Sequence, residues 1–141
     1  MAAIEHFNTI KAPAAKVYEA LSTQEGLSEV WTTQLHVKPE IGFINEFTFG
    51  NETDKMKITR LDPNKLIEWE CIDSAPEWIG TIISFELIEK GEKTDIRLKQ
   101  DGWEEVGDFF RSCNYHWGWF LYSLKCYCED GQGIPYQRRK F

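Results

Sequence analysis

A chain of 141 residues with 42% hydrophobic and 14% aromatic content is long enough for one domain with a substantial core, and too apolar to stay disordered. Its formal net charge of -7 opposes nucleic acid, which needs a basic footprint, and opposes anionic membrane surfaces. No run approaches the roughly 18 apolar residues of a membrane span, and the N-terminus MAAIEHFNTI has no leader character, so the expected setting is cytoplasmic, with Cys71, Cys113, Cys126 and Cys128 reduced.

Ile4 to Lys11 alternates and favours β-branched residues, which predicts a strand stopped by Ala12-Pro13. In APAAKVYEALST, Pro13 suits a first helical position, and Val17, Ala20 and Leu21 form a stripe at helical spacing. Gly26 is expected to close that helix, with a second short helical turn from Leu27 to Trp31. From residue 35 to 102 the period becomes two. Phe43, Asn45, Phe47 and Phe49 share a face, Gly50-Asn51 turns the chain, and Met56 and Ile58 alternate with Lys55 and Lys57. Asp62-Pro63-Asn64 has turn chemistry. Ile67, Trp69 and Cys71 then face one way while Glu68 and Glu70 face the other. Thr81, Ile83, Phe85 and Leu87 make a further inward row, EKGEK (89–93) a hairpin turn, and Ile96, Leu98 and Gln100 a last row. Consecutive strands joined by short turns imply an antiparallel meander.

The final element is a helix expected from about Glu104 to Glu129, with Glu104, Glu105 and Asp108 near its positive dipole end and Gly131 and Gly133 beyond its last turn. At about 100° per residue, Val106, Phe109, Phe110, Cys113, Trp117, Phe120, Leu121, Leu124, Tyr127 and Cys128 share one arc. That stripe needs an apolar surface, and the concave face of the sheet is the large candidate. Tyr115, Trp119 and Tyr122 fall on the far arc. Contiguous exposed aromatics mark contact surfaces, so this face is expected to meet a second subunit in a homodimer; the alternatives are tyrosines scattered at the surface, or a loop that covers them. Gly118, in mid-helix, suggests close backbone approach to a neighbour.

Cys113 and His116 stand at i,i+3, but Cys126 lies ten residues beyond His116, about 15 Å along a straight helix. Zinc ligands converge within roughly 2.0–2.3 Å of the metal, so no metal site is assigned. Neither a C-x-x-C-H run nor a Gly-rich phosphate loop is present, and no cofactor is expected. There is no G-x-S-x-G elbow or H-E-x-x-H helix. Cys113 is the best thiol candidate, because a neighbouring imidazolium at His116 would lower its pKa; a buried cysteine serving as a small hydrophobe is the alternative. Arg138, Arg139 and Lys140 read as a solvated tail.

The layout resembles the START-like superfamily, which includes the birch-pollen allergen, polyketide cyclases and lipid-transfer domains. More narrowly it resembles the family named after the C-terminal domain of the heat-shock-protein-ninety ATPase activator. Three segments carry the likeness: Ala12-Pro13 through Val17, Ala20 and Leu21, followed by Trp31; Gln100-Asp101-Gly102-Trp103; and Trp117 through Leu121, Leu124, Lys125 and Tyr127, then Gly131, Gly133 and Pro135. The resemblance implies an α+β helix-grip fold over residues 1–141 as a single domain. A curved antiparallel sheet, usually seven-stranded, would wrap the long C-terminal helix, with two short helices after the first strand. It also implies a cavity between sheet and helix and carries no fixed catalytic set, so no catalytic residue is assigned.

The cavity lining expected on this basis is Phe47, Phe49, Met56, Ile58, Trp69, Trp78, Phe85, Cys113, Trp117, Phe120 and Leu121, with Asn45, Gln100 and His116 as its polar groups. An apolar pocket with a few placed polar groups suits a small hydrophobic or aromatic ligand; the alternative is that the rings fill the space. Two other functions stay open. One is a protein–protein role, including regulation of a chaperone partner. The other is a cyclase- or hydrolase-type reaction using His116 with Gln100 or Cys113.

Overall fold

The computed structural model describes residues 1–141 as seven strands, three α-helices and a closing 3-10 turn. The chain runs β1 (Ala2–Ile10), α1 (Ala14–Ser22), α2 (Gln24–Val30), β2 (Gln34–His36), β3 (Ile44–Phe49), β4 (Glu52–Asp62), β5 (Leu66–Asp73), β6 (Ile82–Lys90), β7 (Lys93–Trp103) and α3 (Asp108–Asp130), then the turn Tyr136–Arg138. Every pairing is antiparallel, in the order β1-β7-β6-β5-β4-β3-β2. The α+β helix-grip architecture follows from two periods. Rows such as Ile67/Trp69/Cys71 and Ile83/Phe85/Leu87 are buried on one face of the sheet. Cys113, Trp117, Phe120, Leu121, Leu124 and Cys128 are buried on one face of α3.

The turns form where the local chemistry asks for them. Gly50 (φ +64) joins β3 to β4, Asn64 (φ +65) follows Pro63 between β4 and β5, and Gly91 (φ +65) joins β6 to β7. Strand β1 is a sheet edge, and α3 covers part of it. Lys125 Nζ donates to the Thr9 carbonyl at 3.2 Å, the Lys11 N–H donates to Glu129 Oε2 at 2.8 Å, and Lys125 and Glu129 pair with each other at 2.7 Å.

Four sequence expectations change. Helix α3 starts at Asp108, not Glu104, because β7 carries the chain to Trp103 and pairs there with Ala2. Glu104 and Glu105 lie in the connection, which leaves Asp108 as the acidic residue of the first turn. Val106 precedes the helix and is 50% exposed, so it does not belong to the buried stripe. Gly26 does not close α1; Thr23 does, and Thr23 also caps α2 by accepting the Gly26 N–H on its hydroxyl at 3.0 Å. Gly26 lies within α2, where an added Cβ would stand 2.5 Å from Ala20 Cα and 2.7 Å from its carbonyl carbon. The two short helices cross there, which explains the glycine. At Gly118 an added Cβ would meet only His6 Cε1 at 3.8 Å, so no close backbone approach exists at that position.

The C-terminal segment is docked. The Tyr136 N–H donates to the Trp31 carbonyl at 2.7 Å, and the Ile134 N–H donates to Ser123 Oγ at 2.7 Å. Gln137 accepts the Thr33 N–H at 3.0 Å and donates to Thr32 Oγ1 at 2.9 Å. The tail is therefore a structural strap across α2; Arg138 and Lys140 stay exposed as a solvated run would have them, and Arg139 does not. No helix is long and apolar enough to cross a membrane.

Gly26→Ala should lower stability by about 1–3 kcal/mol through overpacking. Gly118→Ala should raise it by up to about 1 kcal/mol through helix propensity. Urea unfolding followed by tryptophan fluorescence checks both signs.

Candidate functional site

The interior of the grip is filled by rings. Trp31, from the end of α2, stands between sheet and helix with centroids 4.5 Å from Phe47, 5.1 Å from Phe49, 6.0 Å from Trp69, 5.5 Å from Trp117 and 5.4 Å from Phe120. Phe85 stacks on Phe120 at 5.5 Å and meets Trp69 edge-on at 5.1 Å. Phe47, Met56, Ile58, Trp69, Phe85, Phe120 and Leu121 are all buried in this cluster.

The ring-walled pocket lies at the mouth of the grip, with a volume of about 210 Å³. Its walls come from α3 (Phe109, Cys113, His116, Trp117), the loop after β5 (Ser74, Ala75, Trp78), the β3–β4 hairpin (Phe49, Glu52, Asp54), Trp31, and the tail (Tyr136, Arg139, Phe141). Of the residues expected around a cavity, Phe49, Trp78, Cys113, Trp117 and His116 come together here. Phe47, Met56, Ile58, Trp69, Phe85, Phe120 and Leu121 form the packed layer behind it, outside the pocket wall. Trp31, Tyr136, Arg139 and Phe141 are wall residues that sequence reasoning missed. Trp31 carried a signal, because it belongs to the motif series that supports the resemblance; the tail residues are placed by long-range docking and carried none.

A buried polar chain holds the two facing indoles. Trp117 Nε1–H donates to Gln100 Oε1 at 2.8 Å, Gln100 Nε2 donates to Thr81 Oγ1 at 3.0 Å, and Thr81 Oγ1–H donates to the Trp78 carbonyl at 2.6 Å. Trp78 Nε1–H donates to Cys113 Sγ at 3.3 Å. Trp78 and Trp117 consequently stack at 5.7 Å with an interplanar angle of 11°. Gln100 is thus committed to positioning the wall. Asn45 lies outside the pocket wall, its Oδ1 accepting the Lys38 N–H at 3.3 Å.

The titratable groups do not form a nucleophilic pair. Burial pushes the Cys113 thiol up, the Trp78 hydrogen bond works the other way, and the nearby Asp54 and Glu77 charges push it up again. The activated Cys113–His116 thiolate considered from sequence is therefore opposed by its surroundings. Burial and then the Arg139 charge hold His116 below its ordinary range, so it favours the neutral form. Burial raises Asp54, although Ser74 Oγ donates to its carboxylate at 2.6 Å.

On the outer surface of α3, Tyr115 is 55% and Tyr122 54% exposed, and Trp119 is half-buried. Phe141 from the tail reaches Trp119 at 6.2 Å and leaves the two tyrosines open.

Residues 11–129 match the family described as Activator of Hsp90 ATPase homolog 1-like protein. Among solved structures, the Aha1 dimer from Colwellia psychrerythraea is 37% identical, with a TM-score of 0.88 over 94% of this chain and 100% of that one. The fold also matches protein MLL2253 from Mesorhizobium loti (19% identity, TM-score 0.77, 88% of this chain and 94% of that one). CalU16 from Micromonospora echinospora is a third match (16% identity, TM-score 0.73, 90% of this chain and 74% of that one). At such identities the last two speak for the fold alone. No curated protein matches.

Gln100→Leu should cost about 1–3 kcal/mol, because it leaves the Trp117 indole N–H unpaired in the interior. The loss should be accompanied by a shift of the Trp117 indole N–H resonance in a 15N-resolved spectrum.

Proposed function

Because this chain belongs to the activator of Hsp90 ATPase homolog 1-like family of START-like proteins, we propose that it binds a small hydrophobic or aromatic molecule in the pocket beneath its tail. The observation that carries this reading is the wall itself. Trp31, Phe49, Trp78, Phe109 and Trp117 border about 210 Å³ of space beside an interior that is otherwise closed by rings. Apolar burial would supply about 25 cal/mol per Å² before ordering costs. The stacked indoles, pinned by Gln100 and Cys113, are organised in advance, which lowers those costs.

A second reading has its own support. The Colwellia relative is an Aha1 dimer, and Tyr115 and Tyr122 present aromatic surface on the free face of α3. Aromatic residues are enriched at interface cores, so we assign this face to a homodimer contact. Regulation of a chaperone rests on the family description alone. A reaction inside the pocket finds little support, since Gln100 is committed on both polar atoms and the Cys113 thiol is pushed up.

Native mass spectrometry of freshly purified protein tests both readings. The expected result is a non-covalent adduct that disappears on denaturation, together with a dimer peak. Trp78→Leu removes the ring stacked on Trp117 but keeps the carbonyl that Thr81 bonds, and it should abolish the adduct while leaving the dimer. Protein that carries no adduct, and that acquires none when presented with small aromatic compounds, would overturn the ligand reading; a strict monomer at high concentration would overturn the dimer.

A further inference from the structure

Arg139 is the one arginine of the molecule that is not exposed, and most of its donors are unused. It lies on the tail, half-buried, in the pocket wall. Its Nε–H donates to the Ile134 carbonyl at 2.8 Å and one Nη2–H donates to the Val30 carbonyl at 2.8 Å. A guanidinium has five N–H donors, so both donors on Nη1 and one on Nη2 have no partner in the protein. None of the ion pairs of the molecule includes Arg139. Burial alone pushes its pKa down to about 10. The free edge is not sealed in the interior, where the one buried side-chain polar atom without a partner is Trp103 Nε1; it is open to an incoming anion, and fastening the tail by two carbonyls does not require it.

The rest of the pocket narrows what could complete it. The indole N–H groups of Trp78 and Trp117 are already used by Cys113 and Gln100. His116, close enough to Arg139 to feel its charge, and Tyr136 from the tail are further polar groups of the wall. Glu52 and Asp54 also line the pocket, and the charges that act on Asp54 are Glu52 and Asp73, not Arg139. The pocket wall therefore carries one cation, Arg139 from the tail, and two carboxylates, Glu52 and Asp54, from the β3–β4 hairpin. A dianion such as a phosphate ester would face those carboxylates, whereas a single carboxylate fits the planar fork of an arginine. An engineered apolar cavity of about 150 Å³ holds benzene, so about 210 Å³ suits one ring with a short substituent, or a small fused pair.

We propose that the pocket takes a small planar aromatic monocarboxylate, its ring against the Trp31, Trp78 and Trp117 wall and its carboxylate on Arg139. This rests on the pocket being a ligand site, and the test separates the two ideas. Benzoate and indole-3-carboxylate are titrated against benzamide and indole-3-carboxamide, which keep size and planarity without the charge. The indole N–H resonances of the six tryptophans report where each probe binds. The acids should move the Trp78 and Trp117 resonances and bind about tenfold or more tightly than the amides, the ordinary worth of a charge-assisted hydrogen bond. Arg139→Gln should weaken the acids far more than the amides, so that the preference for the acids is lost, and Arg139→Lys should restore part of it. Equal binding of acids and amides to the wild-type chain overturns the anion assignment and leaves the pocket as a ligand site. Failure of all four probes to move those resonances overturns both. The wild-type comparison decides the matter even where a substitution loosens the tail.

Discussion

Trp31 is the residue on which the rest of the molecule leans. It ends α2, yet its ring touches β3 through Phe47 and Phe49, β5 through Trp69, and α3 through Trp117 and Phe120. Its carbonyl receives the Tyr136 N–H and so fastens the tail. Losing a buried tryptophan ring costs about 3–5 kcal/mol, against about 5–15 kcal/mol for the stability of a whole domain. One residue, through its ring and its carbonyl, therefore joins the short helices, the sheet, the long helix and the strap into a single packed unit.

The same ring decides where a ligand could go. A sheet wrapped around a helix leaves a gap between them, and here Trp31, Trp69, Phe47, Phe85 and Phe120 close it. A ring-walled space survives at the mouth, between the β3–β4 hairpin, the loop after β5 and the tail. Gln100 then matters for an unexpected reason. An inward-facing amide on β7 suggested a group that greets a ligand, but both its polar atoms face protein partners. It orients the wall, because a buried amide without partners would be more costly than any ligand contact it could make.

Much of this was legible in the sequence. Period-two rows such as Ile67/Trp69/Cys71 and the arc from Cys113 to Cys128 specify the two faces of the grip, because burial follows the geometry of strand and helix directly. The turns at Asn64 and Gly91 were equally plain. Boundaries were less so: charges at Glu104 and Glu105 looked like the start of a helix, but the pairing of β7 with β1 extended the strand through Trp103. The exact role of Gly26 was hidden because its cause is a helix crossing at Ala20, a contact no local pattern encodes. Arg139 was hidden for a related reason. Three basic residues in a row read as a solvated run, and only docking of the tail on Val30 withdraws one of them from water.

Phe141 ties the pocket to the outer surface. Its ring lies 4.7 Å from His116, inside the pocket wall, and 6.2 Å from Trp119 on the free face of α3. It also stands 6.0 Å from Tyr136, beside the strap that carries Arg139. Phe141 and Arg139 border the same pocket, and the Phe141 ring also partly covers Trp119. One aromatic side chain thus belongs both to the pocket wall and to the outer surface of α3, so a substitution at Phe141 changes both surfaces at once.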